Sequence, residues 1–157
     1  MEEMINNFFE MVDSRYRDFV KELHACLMDS GYKVQVKESK SGYVVSYIFH
    51  GKTVFNYAFR KNGVFLRIYA EGLDQYREFL DTLPEEMVKA IKKAPVCKRL
   101  LDPNDCNSRC SMGYDFTIRG ERYQRCRYSA FQFFLKEENN PFLKDFAMRE
   151  IEARKNM

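Results

Sequence analysis

The chain predicts an α+β fold: an antiparallel four-stranded meander sheet flanked by helices, followed by a C-terminal cysteine-bearing hairpin extension. Three observations lead there. The apolar period is 3.6 near the N-terminus, changes to 2 after Gly31 for four successive short runs, and returns to 3.6 from Leu73. Short glycine-bearing connections separate those runs, as tight hairpins require. Four of the five cysteines then fall between Cys97 and Cys126, in a stretch with little hydrophobic period of its own. At 157 residues the chain suits one domain: a helix–meander–helix core over 1–95, then a cysteine loop, hairpin and closing helix over 96–157.

Val12, Tyr16, Phe19, Val20, Leu23 and Leu27 recur at spacings of three and four, with Asp13, Arg15, Arg17, Asp18, Lys21 and Glu22 opposite, so this segment is an amphipathic helix. Met4, Ile5, Phe8 and Phe9 form a shorter stripe before it. Asp13-Ser14 either caps a second helix or interrupts a continuous one. Ser30-Gly31 ends the run, and Tyr32, Val34 and Val36 then alternate with polar residues as a strand. The runs Tyr43–Phe49, Val54–Phe59 and Val64–Tyr69 follow, joined by His50-Gly51-Lys52 and Lys61-Asn62-Gly63. One face of such a sheet carries Tyr and Phe in bulk, and the flanking helices are its expected cover.

Leu73, Tyr76, Phe79 and Leu80 read as one helix, and Pro84 opens the next, with Met87, Val88 and Ile91 inward. Pro95 stops it. Tyr114, Phe116 and Ile118 alternate, Arg119-Gly120 turns, and Glu121–Tyr128 returns as a second hairpin strand. Ala130–Leu135 fits strand or helix. Pro141–Lys155 closes the chain as a helix.

With 45% hydrophobic and 31% charged residues the chain is globular, and 26 basic against 23 acidic groups is too even a balance to mark a polyanion or membrane partner. The N-terminus lacks a basic and apolar leader pattern, and no apolar run approaches the roughly 20 residues that span a bilayer. A cytoplasmic address is expected, which keeps cysteines as thiols or metal thiolates.

The stretch from about Leu23 to Ile91, including YVVSYIFHGKTVFNYAFRKNGVFLRIY and the Leu83-Pro84 step, resembles small bacterial domains of the YdhG and YjbR-like kind. The resemblance implies a two-layer arrangement of helices on an antiparallel sheet. It does not extend to the tail CKRLLDPNDCNSRCSMGYDFTIRGERYQRCRY, and it implies no activity.

Cys97, Cys106, Cys110 and Cys126 are separated by eight, three and fifteen residues. Four converging thiolates close a tetrahedral structural zinc site, with Zn–S near about 2.3 Å and no open position. The competing reading is a set of buried thiols, which is what Cys26 on its helix is expected to be. Iron–sulfur runs use other gaps, and a nucleophilic cysteine needs a base, for which the chain offers only His24 and His50.

The expected function is therefore a binding module for a small molecule or protein partner, carrying structural zinc, with no membrane partner. Tyr43, Tyr47, Tyr57 and Tyr69 on the sheet are the expected ligand-binding residues, suited to an apolar or cationic molecule. Two alternatives stand beside this. Arg119, Arg122, Arg125 and Arg127, interleaved with Tyr123 and Tyr128, would form a nucleic-acid-binding hairpin, although a solvated edge strand explains the same residues. A thiol-dependent enzyme is the other; no phosphate loop, catalytic triad order or zincin motif accompanies it.

Overall fold

The computed structural model describes residues 2–107 and 109–157. The two N-terminal apolar stripes form separate helices, α1 (Glu2–Met11) and α2 (Arg17–Asp29), and the run expected to be helical from Val12 becomes so only at Arg17. The chain breaks at Asp13, whose carboxylate accepts the Arg15 backbone N–H at 3.0 Å. Arg17 then donates to the carbonyls of Phe9, Glu10 and Val12 at 2.9, 3.0 and 3.0 Å, satisfying the open end of α1.

The meander follows as β1 (Lys33–Ser39), β2 (Gly42–Phe49), β3 (Lys52–Arg60) and β4 (Gly63–Ile68), antiparallel throughout. His50 and Gly51, both at positive φ (50° and 80°), make the tight β2–β3 turn in the sense that matches strand twist. A separate hairpin, β5 (Tyr114–Ile118) and β6 (Glu121–Arg125), forms its own two-stranded sheet. The ambiguous run at 130–135 is a strand: β7 (Gln132–Phe134) pairs Leu66 with Phe133 and makes the main sheet five-stranded, in the order β1-β2-β3-β4-β7. The Ile68 N–H to the Phe131 carbonyl at 2.8 Å and the Leu135 N–H to the Val64 carbonyl at 2.9 Å extend that pairing at both ends.

The segment from Leu73 departs from the expected single helix. It folds as two 3-10 turns, Leu73–Gln75 and Arg77–Thr82, that meet at Tyr76. Tyr76 turns its hydroxyl onto buried Glu150, and the Gly72 N–H donates to the same carboxylate at 3.0 Å. These bonds fix the backbone at the junction where a continuous helix would run. Beyond it lie α3 (Glu85–Lys93), the short α4 (Lys98–Leu101) in the cysteine loop, and α5 (Asn140–Lys155).

Side chains of the sheet segregate by alternation. Val45, Tyr47, Phe55, Tyr57, Leu66 and Ile68 are buried in the core with residues of α1, α2 and α5. The Phe8 ring sits 5.3 Å from Tyr57. Phe131 ties the hairpin into this core, its ring 5.1 Å from Phe116, 5.4 Å from Tyr114 and 5.2 Å from Phe146. On the opposite sheet face Gln35 and Lys37 are exposed, and Phe65 is shielded by the guanidinium groups of Arg60 and Arg67 at 4.8 and 5.3 Å. Among the described residues no helix is long and apolar enough to cross a membrane.

Candidate functional site

The C-terminal extension forms a cap held to β6 by backbone bonds. Val96 bridges Arg125, the Cys97 N–H donates to the Gln124 carbonyl at 3.1 Å, and the Cys126 N–H donates to the Pro95 carbonyl at 2.8 Å. Cys97 and Cys126 are thus anchored on adjacent segments. Gly113 crosses close behind them. A Cβ at Gly113 would lie 2.0 Å from the Arg125 carbonyl oxygen and 2.8 Å from the Cys97 Cβ, so only glycine fits, and its N–H donates to Cys97 Sγ at 3.1 Å.

Cys106 and Cys110 lie on a loop built from local turns. The Asp102 carboxylate accepts the Asn104 N–H at 3.0 Å, Asp105 accepts the Cys106 N–H at 2.7 Å, and Asn107 accepts the Arg109 N–H at 2.9 Å. Cys106 has φ of 61°. Arg99 donates to the Cys110 carbonyl and ties this loop back to α4. All four cysteines wall one cavity of about 230 Å³, whose lining is mostly apolar and includes Gly113, Arg127 and Tyr128. Cys97 is buried, Cys110 and Cys126 are half-buried, Cys106 is exposed, and all are free thiols. Among the described residues, no three Cys, His, Asp or Glu side chains are placed closely enough to hold a metal ion.

A polar cleft opens beside this cavity, between the cap and the ends of β3 and β4. It has two lobes of about 430 and 310 Å³ that share Lys52, Glu71, Ser111 and Arg127. Arg77, Tyr114 and Asp115 bound the larger lobe; Thr53, Tyr69, Arg109 and Tyr128 bound the smaller. Gly113 and Arg127 belong to the walls of both the larger lobe and the cysteine cavity.

Each carboxylate of the cleft already has a guanidinium. Arg127 pairs with Glu71 at 2.5 Å, Arg77 with Asp74 at 2.5 Å, and Arg122 with Asp115 at 2.6 Å. Among the described residues the side chains of Lys52 and Arg109 make no hydrogen bond or ion pair. Burial alone would raise Glu71, but Arg127, with Arg154 and Lys52 behind it, holds its carboxyl below the usual value. Among the described residues the Tyr114 hydroxyl, buried beside the larger lobe, has no hydrogen-bond partner.

Below the cleft floor lies a buried charge pair. Glu150, 0% exposed, accepts Arg154 Nε at 2.6 Å together with the Gly72 N–H and the Tyr76 hydroxyl. Arg154 also donates to the Tyr69 carbonyl at 2.7 Å and stands 3.9 Å from Glu71. Burial pushes the Glu150 carboxyl up, against the pull of Tyr76, Arg154 and Gly72.

The expected ligand tyrosines are dispersed. Tyr47 and Tyr57 are 0% exposed in the core, and Tyr47 is hydrogen-bonded to His24 Nδ1 at 2.8 Å. Tyr43 is half-buried against the core, and only Tyr69 reaches the cleft. The aromatic face is covered by helices over Tyr47 and Tyr57, and at its edge Phe59 lines a cavity of about 430 Å³ with Met11, Val12 and Tyr16 that none of the four tyrosines reaches. The four arginines also separate. Arg119 donates to the Leu83 carbonyl at 2.8 Å, Arg122 pairs with Asp115, Arg125 donates to the Ile91 carbonyl at 3.0 Å, and Arg127 pairs with Glu71. β6 ends at Arg125, so the alternation expected through Tyr128 stops there. Lys52 and Arg109 escaped sequence reasoning; the only local signals were a hairpin turn before one and flanking cysteines around the other. No protein-family model, curated protein or solved structure matches the chain.

Proposed function

We propose that the protein is a small-molecule-binding module in which one zinc ion, held by Cys97, Cys106, Cys110 and Cys126, clamps the cap and thereby shapes the cleft beside it. The observation that carries this reading is that four cysteines from three segments wall a single cavity whose boundary is shared with the cleft. Cys97 and Cys126 are held by backbone pairing, so they offer a fixed half-site. Cys106 and Cys110 ride on local turns, and drawing them inward disrupts no strand. Four thiolates on one zinc leave a net charge of two minus, which Lys98 and Arg99 at the cavity wall offset. With no open coordination position such an ion is structural.

Elemental analysis and thiol titration test the clamp. The expected result is one zinc per chain, with only Cys26 reacting until a chelator releases four further thiols. Five thiols titrating freely after purification and zinc reconstitution would overturn it.

A further inference from the structure

Resting on the reading of the cleft as a ligand site, we propose that its smaller lobe binds the phosphate group of a phosphorylated small molecule. Lys52, Arg109 and Arg127 converge on this lobe, with Glu71 as its single carboxylate. Arg127 meets Glu71 through one terminal nitrogen, and the guanidinium has further N–H groups to offer. Lys52 and Arg109 make no hydrogen bond or ion pair among the described residues, and although Lys52 also acts on Glu71 through space, three cations against one carboxylate leave the lobe an excess of positive charge. Hydroxyls of Thr53 and Ser111 line the same lobe. Two such cations with neighbouring hydroxyl donors match a dianion with several oxygens better than a carboxylate, which carries one charge on two. The Tyr128 ring, 49% exposed at the rim, offers an edge for an apolar or aromatic remainder of the ligand.

The cap supplies two of the three cations. Arg109 sits between Cys106 and Cys110, and Arg127 follows Cys126. Lys52 comes from β3. The phosphate would therefore bridge cap and sheet.

The test is titration of the full-length, zinc-loaded chain with phenyl phosphate, inorganic phosphate and benzoate by calorimetry. Phenyl phosphate is expected to bind one per chain, with affinity dropping roughly tenfold or more in Arg109→Gln and in Lys52→Gln. Both substitutions are at exposed side chains and should leave the zinc and thiol counts unchanged. Affinity should also weaken below about pH 6, where the phosphate monoester loses its second charge. Three results overturn the proposal: no saturable binding of either phosphate at millimolar concentration, binding indifferent to both substitutions, or benzoate bound as tightly as phenyl phosphate. A single-stranded oligonucleotide bound more tightly than phenyl phosphate also overturns it, in favour of a polyanion surface. Zinc-loaded protein that binds no phosphate removes this site and leaves the clamp. Phosphate binding of equal strength without zinc supports the site and removes the clamp.

Discussion

Glu150→Leu is the sharpest perturbation of the floor beneath the cleft. The substitution removes a carboxylate that is 0% exposed and leaves Arg154, itself 6% exposed, with the Tyr69 carbonyl at 2.7 Å and a Glu71 oxygen 3.9 Å away. The Gly72 N–H and the Tyr76 hydroxyl lose their acceptor as well. Removing one partner of a buried ion pair costs about 3–5 kcal/mol, because the surviving charge is stranded out of water. At about 2–4 °C per kcal/mol for a chain of this size, Tm should fall by roughly 6–20 °C. Urea unfolding followed by circular dichroism at pH 7 measures the loss by linear extrapolation. Glu150→Gln, which keeps the shape and loses the charge, should fall between wild type and the leucine variant. The double variant Glu150→Leu/Arg154→Met should recover much of the loss, since no unpaired charge remains and the two sites touch. A leucine variant within about 1 kcal/mol of wild type, or a double variant costing the sum of the two singles, would refute the reasoning.

Gly113→Ala places a methyl group against the Arg125 carbonyl, so it should destabilise by about 1–3 kcal/mol in urea melts and lower zinc retention after dialysis against a weak chelator. Phe131→Ala empties the contact between Phe116, Tyr114 and Phe146 and should cost about 3–5 kcal/mol in the same melts. Burial holds His24 below its ordinary 6.5, so the folded chain takes up this proton later than the unfolded one. The histidine's stabilising contribution is complete above pH 6.5 and is lost as pH falls through the depressed value. Urea midpoints of wild type minus those of His24→Gln, taken from pH 8 to pH 5, should slope downward toward acid; a flat difference would sink this assignment.

The helices and the meander were legible because burial on one side writes a period into the chain: 3.6 at Phe19, Val20, Leu23 and Leu27, and 2 at Val34 and Val36. Where tertiary contacts overrode that period, the reading slipped. Leu73, Tyr76, Phe79 and Leu80 have helical spacing, yet hydrogen bonds to Glu150, more than 70 residues away, turn the backbone at Tyr76. The tyrosines of β2 and β3 could not be assigned to pocket or core without knowing which sheet face the helices cover. Tyr47 and Tyr57 lie on the covered one. The cysteines were legible as a cluster, but their meeting around one cavity depends on the bridge between Val96 and Arg125. The cleft was illegible, since Lys52, Glu71, Arg109 and Arg127 come from four separate segments that only the topology joins.

The cysteine cavity and the cleft are linked by the energetics of the loop between them. No described residue from 98 to 112 is buried, so hydrophobic packing gives this segment little to hold it. Ordering the eight described residues of 102–107 and 109–110 costs on the order of 8–16 kcal/mol at about 1–2 kcal/mol each. The local turns around Asp102, Asp105 and Asn107 return only about 1 kcal/mol per bond. A structural zinc site, at about 10–16 kcal/mol, is of the size required. Arg109 lies inside this segment, one residue before Cys110, whereas Lys52 and Glu71 belong to the sheet and its exit and keep their places regardless of the loop. Were zinc held as proposed, its release would remove one wall of the smaller lobe and leave the other standing. On this account the clamp controls whether the phosphate lobe is complete, while the stability of the core rests on the aromatic packing and the Glu150–Arg154 pair.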